Sequence, residues 1–459
     1  MHIRDEHSEQ LTQRVVAYAL ERIHQPMDPK WGARPAPELA RELAGAICRT
    51  GIGGEAALAL FDEVLLPACR PMDNAMDLAY VPTAPSDASM LFDMVVSVSA
   101  IFAGTWEAGA GAIAAENQAL QWLAGLAGYP QGAGGCFVSG GSSGNLSALV
   151  TARHAARRTR TGPPPARWRF AATAQVHSSV RAAARVMDVD VVSVAADATG
   201  RMTGAALAQA LADDPDGLDG LFAVCCTLGT TNVGAIDDFE GIADVCDEHG
   251  LWMHVDAAYG GAVLCAPSVA PLLRGFERSD SFGVDPHKWL FAPYDCAALV
   301  YRDPSIASQA HAQHGEYLDM VDRGEWNPAD FAYHLSRRAR GLPLWFSLAT
   351  YGTDAYTAAV EQTLTTARQF AEAIRARPET FTLLLEPALS IVVFERRGWE
   401  LDDYRSWTIT RAREGKALIV PTSWNGKPCY RVCLVNPVTT AEALTDLLDD
   451  MAEWNLERG

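Results

Sequence analysis

The stretch that decides the fold is Trp252-Met253-His254-Val255-Asp256-Ala257-Ala258-Tyr259, followed a short way on by Asp285-Pro286-His287-Lys288-Trp289. Its apolar opening predicts a strand over Trp252–Val255 that delivers an aspartate at its end. Working outward, comparable runs of β-branched and apolar residues predict strands at Gly135–Ser139, Trp168–Thr173, Val189–Val194, Leu221–Leu228 and Ala297–Tyr301. Amphipathic helical patterns separate them, one of them over Asn145–Arg158. Strands separated by helices imply parallel pairing, so the chain from Ala88 onward is expected to form an α/β sheet buried on both faces.

The pattern changes on either side of this body. Residues 8–24 and 36–49 carry apolar side chains at helical spacing (Leu11, Val15, Val16, Ala19, Leu20, Ile23), broken by Pro26, Pro29, Pro35 and Pro37. After Arg340-Gly341-Leu342-Pro343 a long helical stretch over 345–376 precedes strands at Phe381–Leu385, Ser390–Phe394 and Tyr430–Leu434 and a helix at 402–414. Helices and strands no longer alternate regularly there, which predicts a smaller α+β domain. The expected division is an N-terminal helical segment at 1–85, a large domain at 86–345 and a small C-terminal domain at 346–459.

Composition narrows the class. A chain of 459 residues with 49% hydrophobic content can bury a large core. A net charge of −19 argues against nucleic acid or an anionic membrane as partner, since both would repel an acidic surface. The charged start Met1-His2-Ile3-Arg4-Asp5-Glu6 lacks the apolar run of a signal peptide, and no apolar run approaches the ~20 residues of a membrane span. Ten cysteines occur without a Cys-x-x-Cys pair, and Cys136, Cys225, Cys226 and Cys296 stand in apolar surroundings. They read as reduced core residues of a cytoplasmic protein.

The chemistry is carried by Lys288 and Asp256. A lone lysine is usually a solvated charge, but a lysine beside a histidine, with an isolated aspartate upstream, is what pyridoxal 5'-phosphate chemistry requires. The amine bonds covalently to the cofactor aldehyde, and the aspartate keeps the pyridine nitrogen protonated so that the ring withdraws electrons from the substrate Cα. The glycine-rich run Ser139-Gly140-Gly141-Ser142-Ser143-Gly144-Asn145-Leu146 lies between a predicted strand and a predicted helix. A phosphate fits such a place, where glycines allow close approach and the helix start offers free N–H groups. His177 follows a strand and is a candidate for stacking over a planar ring, although a lone histidine is more often a core or capping residue. Thr227-Leu228-Gly229-Thr230-Thr231 brings hydroxyls to the C-terminal end of a strand, where α/β enzymes place ligands.

Two competing readings use the same residues. Gly140-Gly141-Ser142-Ser143-Gly144 satisfies the Gly-x-Ser-x-Gly elbow of a serine hydrolase, with Asp256 and His287 downstream in the required order. That reading leaves Lys288 without a task. His177, His254, Asp256 and His287 could suggest a metal site, but no Glu-x-x-His or Cys/His framework accompanies them, and no metal is expected.

With these motifs in place, the chain resembles the group II pyridoxal-phosphate-dependent amino-acid decarboxylases, the family of aromatic-amino-acid, glutamate and diaminobutyrate decarboxylases. The resemblance runs from about Tyr80 to Pro437 and rests most heavily on His254–Tyr259 and Asp285–Trp289. It implies the aspartate-aminotransferase-like fold (fold type I) in an intertwined homodimer whose N-terminal segment wraps the partner. It further implies that Lys288 binds the cofactor, Asp256 faces the pyridine nitrogen, His177 stacks on the ring and Ala258 packs on the opposite face. Gly141 and Ser142 would hold the phosphate with His287 nearby, and Thr231 would lie beside the ring. Ser143 replaces an acidic residue of many relatives. Asp285 replaces an asparagine of several, and its charge is unfavourable near a phosphate unless it is turned away or paired.

The resemblance also assigns Tyr317 in Glu316-Tyr317-Leu318 to the proton donor that favours clean decarboxylation. An aminotransferase or carbon–sulfur lyase of the same fold would not need it. Tyr80, Val81, Thr83, Phe102, Trp106, Tyr294 and Arg431 match positions that line the substrate pocket in the family. The rings among them suit an aromatic amino acid. Gly104, where aromatic-specific relatives carry a bulky ring, and the Thr105-Trp106-Glu107 run instead suit a diamino or acidic amino acid such as diaminobutyrate, ornithine, glutamate or aspartate. Glu107 also reads as a helix-start residue.

Overall fold

The computed structural model describes residues 4–313 and 324–454. Its large sheet is built from β1 (Gly134–Val138), β2 (Arg169–Thr173), β3 (Asp190–Val194), β4 (Leu221–Thr227), β5 (Trp252–Asp256), β6 (Ser281–Val284) and β7 (Ala297–Tyr301). The strand order is β1-β7-β6-β5-β4-β2-β3. β4 and β5 are buried at every residue, as a strand covered by helices on both faces must be. Alternate side chains go to opposite faces. Phe170, Ala172, Ala223 and Cys225 join one core, while Ala171, Val224 and Cys226 join the other.

The sheet is mostly parallel, as expected, with β7 the exception: it runs antiparallel to both β1 and β6. No helical crossover long enough for a parallel return separates β6 from β7, so the chain turns back at the edge where β6 ends. The sequence reading also passed over β6 itself. Four residues with Gly283 in the interior give too weak a strand signal.

Four antiparallel strands form the second sheet, in the order β10-β11-β9-β8, from β8 (Phe381–Leu383), β9 (Ile391–Arg396), β10 (Val420–Trp424) and β11 (Lys427–Cys433). Its core is aromatic, with Phe394, Tyr404, Trp407 and Tyr430 fully buried. The long helix expected over 345–376 is two helices, Leu342–Tyr351 and Thr353–Arg375, because Gly352 takes φ +78° between them. At the N-terminus stand α1 (Glu6–Ile23), α2 (Ala36–Glu42) and α3 (Gly54–Leu60), none of which contains a buried residue. All ten cysteines are unpaired, and eight are buried. Among the described residues, no helix is long and apolar enough to cross a membrane.

After α4 (Asp87–Ser99), α5 (Trp106–Leu126) is tied to the chain ahead of the 342–351 helix by a buried ion pair. Arg337 donates to both Glu116 oxygens at 2.6 and 2.7 Å, and Gly341 N–H adds a bond at 2.8 Å. The two side chains are 0% and 2% exposed. Removing one partner strands a charge away from water, so Glu116→Ala is expected to cost about 3–5 kcal/mol of unfolding free energy. Urea unfolding would check this. A loss below about 1 kcal/mol would mean that the freed guanidinium finds water or another acceptor.

Candidate active site

Parallel register sets the geometry. Asp256, the last residue of β5, lies opposite Thr227 at the end of β4 and Gly283 near the end of β6. The chain leaving β6 therefore emerges beside Asp256 and forms the short helix α10 (Pro286–Trp289) at once. Because β7 is antiparallel, residues 285–296 stay at this same edge of the sheet. Trp289 anchors α10 from below. It is fully buried, stacks on Tyr259 at 5.2 Å and donates to Thr363 at 3.0 Å.

Lys288 Nζ lies 2.8 Å from Asp285 Oδ2, with the lysine side chain 23% exposed and Asp285 buried. Burial pulls the Lys288 ammonium pKa down, but the charge and hydrogen bond of Asp285, with the charge of Asp256, outweigh it and raise the value above that of an ordinary lysine. Asp285 is thus paired rather than turned away. Its other oxygen, Oδ1, is buried without a partner. His287 presents Nε2 to Asp285 at 3.6 Å and accepts from the Cys296 amide on Nδ1 at 3.0 Å. Burial lowers the His287 pKa, against the opposing pull of Asp285.

Facing Lys288 is the start of α6 (Gly141–Thr159), four residues earlier than the helix expected from Asn145. The amides of Ser143 and Gly144 bond to Gly140 O, whereas those of Gly141 and Ser142 have no acceptor among the described residues. Side-chain capping and first-turn acids are also absent. A Cβ on Gly141 would come within 3.1 Å of Ala258 Cβ and 3.2 Å of Asp285 Oδ2, so glycine keeps a narrow cradle open between them. Among the described residues, no hydrogen bond joins Ser142 to a histidine, as a hydrolase triad would need.

Behind Asp256 lies a hydrogen-bond network that the sequence reading did not find. Asn145 Nδ2 donates to Asp256 Oδ2 at 2.9 Å and to Ser179 Oγ at 3.0 Å, and its Oδ1 meets His254 Nε2 at 3.0 Å. His254 Nδ1 meets Ser281 Oγ, which accepts from Trp252 Nε1, each at 2.9 Å. Burial pushes the His254 pKa down to about 4, against the pull of Asp256. The other Asp256 oxygen accepts from Ala258 N–H at 3.1 Å. His177 is exposed and caps α7 (Ser178–Met187), with Nδ1 accepting from Ser179 N–H at 3.2 Å and meeting Ser179 Oγ at 2.8 Å. His177 thus caps α7 through the same Ser179 that accepts from Asn145.

Arg431 reaches the same edge from β11. Its Nε donates to Thr231 O at 2.7 Å and its Nη1 to Tyr80 O, while Nη2 is buried without a partner. Tyr80 holds φ +55°, clamped further by Arg70, which donates to Ala79 O and lies 4.9 Å over the Tyr80 ring. Thr83 is buried with an unpartnered hydroxyl, and the Tyr294 ring stands 4.6 Å from that of His287. Phe102 precedes α5 and Trp106 opens it, its N–H donating to Asn327 at 2.8 Å. Glu107 is exposed in the first turn of α5. Tyr317 lies outside the described residues.

The description "pyridoxal-dependent decarboxylase conserved domain" fits residues 58–397. The chain belongs to that family. It is 30% identical over 423 residues to an aromatic-L-amino-acid decarboxylase of Bacillus atrophaeus, covering 89% of this chain and 87% of that one. It is 31% identical over 417 residues to the L-2,4-diaminobutyrate decarboxylase of Rhizobium meliloti, covering 88% and 82%. Its fold matches the crystal structure of Oryza sativa TDC with PLP and tryptamine at a TM-score of 0.90 and 24% identity, over 99% of this chain and 98% of the other. The architecture is the expected fold type I, and the protein is a pyridoxal-phosphate-dependent amino-acid decarboxylase.

The residues at the sheet edge fit that cofactor. The free amides at the start of α6 and the hydroxyls of Ser142 and Ser143 suit a phosphate, Asp256 suits the ring nitrogen, and Lys288 is the amine within reach. Asp285 opposes the fit, since a carboxylate against the Gly141 cradle repels a phosphate dianion. Replacing it changes Lys288 in a predictable direction. With the acid gone, burial acts on the lysine with less opposition, so Asp285→Asn is expected to move the midpoint of Lys288 titration to lower pH. The pH dependence of Lys288 modification in cofactor-free protein measures it. An unmoved midpoint would show that the 2.8 Å pair does not govern the lysine.

Proposed function

We propose that this decarboxylase acts on an aromatic L-amino acid and releases the corresponding amine and carbon dioxide. The observation that carries the reading lies at Gly104. A Cβ there would come within 2.7 Å of the Phe102 ring and 2.2 Å of Leu335 O. The ring of Phe102 thus stands where aromatic-specific relatives place their own bulk, and Gly104 no longer argues against an aromatic substrate. Tyr80 and Tyr294, 59% and 47% exposed, add two further rings. Glu107, exposed in the first turn of α5, is placed where an acid favours the helix dipole, which accounts for it without a substrate amine.

In the proposed reaction pyridoxal 5'-phosphate supplies the electron sink for the pair released when the Cα–carboxylate bond breaks. Lys288 would hold it covalently through its amine. Asp256, kept an acceptor by Asn145 and the Ala258 amide, holds a proton at the ring nitrogen. His177, Ala258 and Thr231 would hold the ring. Arg431 offers its unpartnered Nη2 to the substrate carboxylate. Tyr317 returns a proton to Cα, and Thr83, Phe102 and Trp106 complete the pocket.

The uncovered N-terminal helices support a homodimer, whose interface would hold the sites. Val15, Val16 and Leu20 of α1 are 42–43% exposed, and Val95 and Val98 of α4 are 47% and 82% exposed. Apolar rows of this kind are what a second copy of the chain would cover. Unpaired cysteines throughout suit a reducing, cytoplasmic setting. A second substrate class, a diamino or acidic amino acid, is favoured by the Rhizobium relative.

Carbon dioxide release from the common amino acids plus ornithine, diaminobutyrate and dihydroxyphenylalanine separates the two. Aromatic substrates are expected to react fastest, and turnover confined to basic or acidic ones would refute the aromatic reading. With the best substrate, Tyr317→Phe is expected to shift product from amine toward aldehyde. An unchanged ratio would remove Tyr317 as proton donor.

A further inference from the structure

The network behind Asp256 has only one consistent arrangement of hydrogens. Asn145 is 1% exposed, so each of its polar atoms must be satisfied by protein. Its Nδ2 has two hydrogens and two acceptors, Asp256 Oδ2 and Ser179 Oγ. Flipping the amide would set Oδ1 against the Asp256 carboxylate at 2.9 Å, two acceptors facing each other. With the amide so fixed, Oδ1 needs a donor, and His254 Nε2 must carry the hydrogen. The His254 ring, fully buried and kept uncharged by that burial, then accepts on Nδ1 from the Ser281 hydroxyl. That hydroxyl in turn accepts from Trp252 Nε1, which can only donate. Every bond from Trp252 through Ser281, His254 and Asn145 therefore donates in the direction of Asp256.

Resting on the pyridoxal-phosphate reading above, we propose that Asn145 is the positioning residue that keeps Asp256 a bare, acceptor-only carboxylate, so that the shared proton stays on the cofactor's ring nitrogen. The physical cause is the donor set. A carboxylate that accepts hydrogen bonds in its charged form is stabilised as the anion, and a chain of donors polarised one way strengthens the last bond. Asn145 also orders the stacking side. Its second hydrogen occupies Ser179 Oγ, whose own hydrogen is left for His177 Nδ1, where the Ser179 amide also arrives. Two donors at Nδ1 place the His177 ring proton on Nε2. One amide thus connects the two side chains that meet the ring nitrogen and the ring face.

The test uses holoenzyme loaded with pyridoxal phosphate labelled with nitrogen-15 in the ring. In wild-type protein the ring-nitrogen resonance is expected at the protonated position. Asn145→Leu removes the donor, and Asn145→Asp sets a second acid beside Asp256 so that the two share a proton. Both should move the resonance toward the unprotonated position and lower kcat by roughly 10- to 100-fold, the worth of a hydrogen bond to a charged group, with little change in KM. Ser281→Ala, which removes the hydroxyl two bonds away, should move it the same way by less, and it serves if the Asn145 variants do not fold. A resonance unmoved in any folded variant of this set overturns the proposal, because loss of packing alone would change stability but not the proton's place. Wild-type protein that binds no cofactor would remove the functional reading and this inference together, and is distinguished by the absence of any bound signal.

Discussion

The site depends on one constraint, the level at which three parallel strands end. β4, β5 and β6 are paired so that Thr227, Asp256 and Gly283 stand side by side. A shift of one residue in the β5–β6 pairing would turn Asp256 to the other face of the sheet and away from Lys288. The fully buried, β-branched and apolar character of β4 and β5 fixes that register. The antiparallel return of β7 then keeps the lysine segment at the same edge, so the charges of Lys288, Asp285 and Asp256 converge without any long loop to position them.

Convergence brings an electrostatic problem that the fold solves in two different ways. Asp256 is met by donors on both oxygens, from Asn145 and from the Ala258 amide. Asp285 relies on Lys288 for one oxygen and leaves the other unpartnered in a buried place. The first arrangement suits an acid that must stay charged and aimed. The second suits an acid whose partner is later diverted to other chemistry, and it sits against the Gly141 cradle where a phosphate would bring further negative charge. The two aspartates, alike in the sequence, are therefore set to different tasks by their surroundings.

Much of this was legible in the chain because it is local. Lys288 beside His287, the strand that ends in Asp256 and the glycine-rich helix start are each written in a few adjacent residues, and the structure brings them to one edge. What was not legible joins distant residues. Asn145 contacts Asp256 across 111 positions and His254 across 109, and Arg337 meets Glu116 across 221. No periodicity reports such pairs. His254 illustrates the cost of reading types without partners. It could be weighed only as a metal ligand, whereas both of its nitrogens are committed to Asn145 and Ser281. The break at Gly352, and which strand of the mostly parallel sheet runs antiparallel, were not legible for a related reason. A single glycine within a helical pattern, or a strand without a crossover helix, changes direction without changing composition.

The central claim is that Lys288, held at this edge beside Asp285 and Asp256, is the amine that carries the cofactor. Borohydride reduction of the purified holoenzyme followed by peptide mapping tests it directly. The account predicts loss of the visible band and a single pyridoxyl label on Lys288. A label on any other lysine, or retention of the band and label in Lys288→Ala, would contradict it.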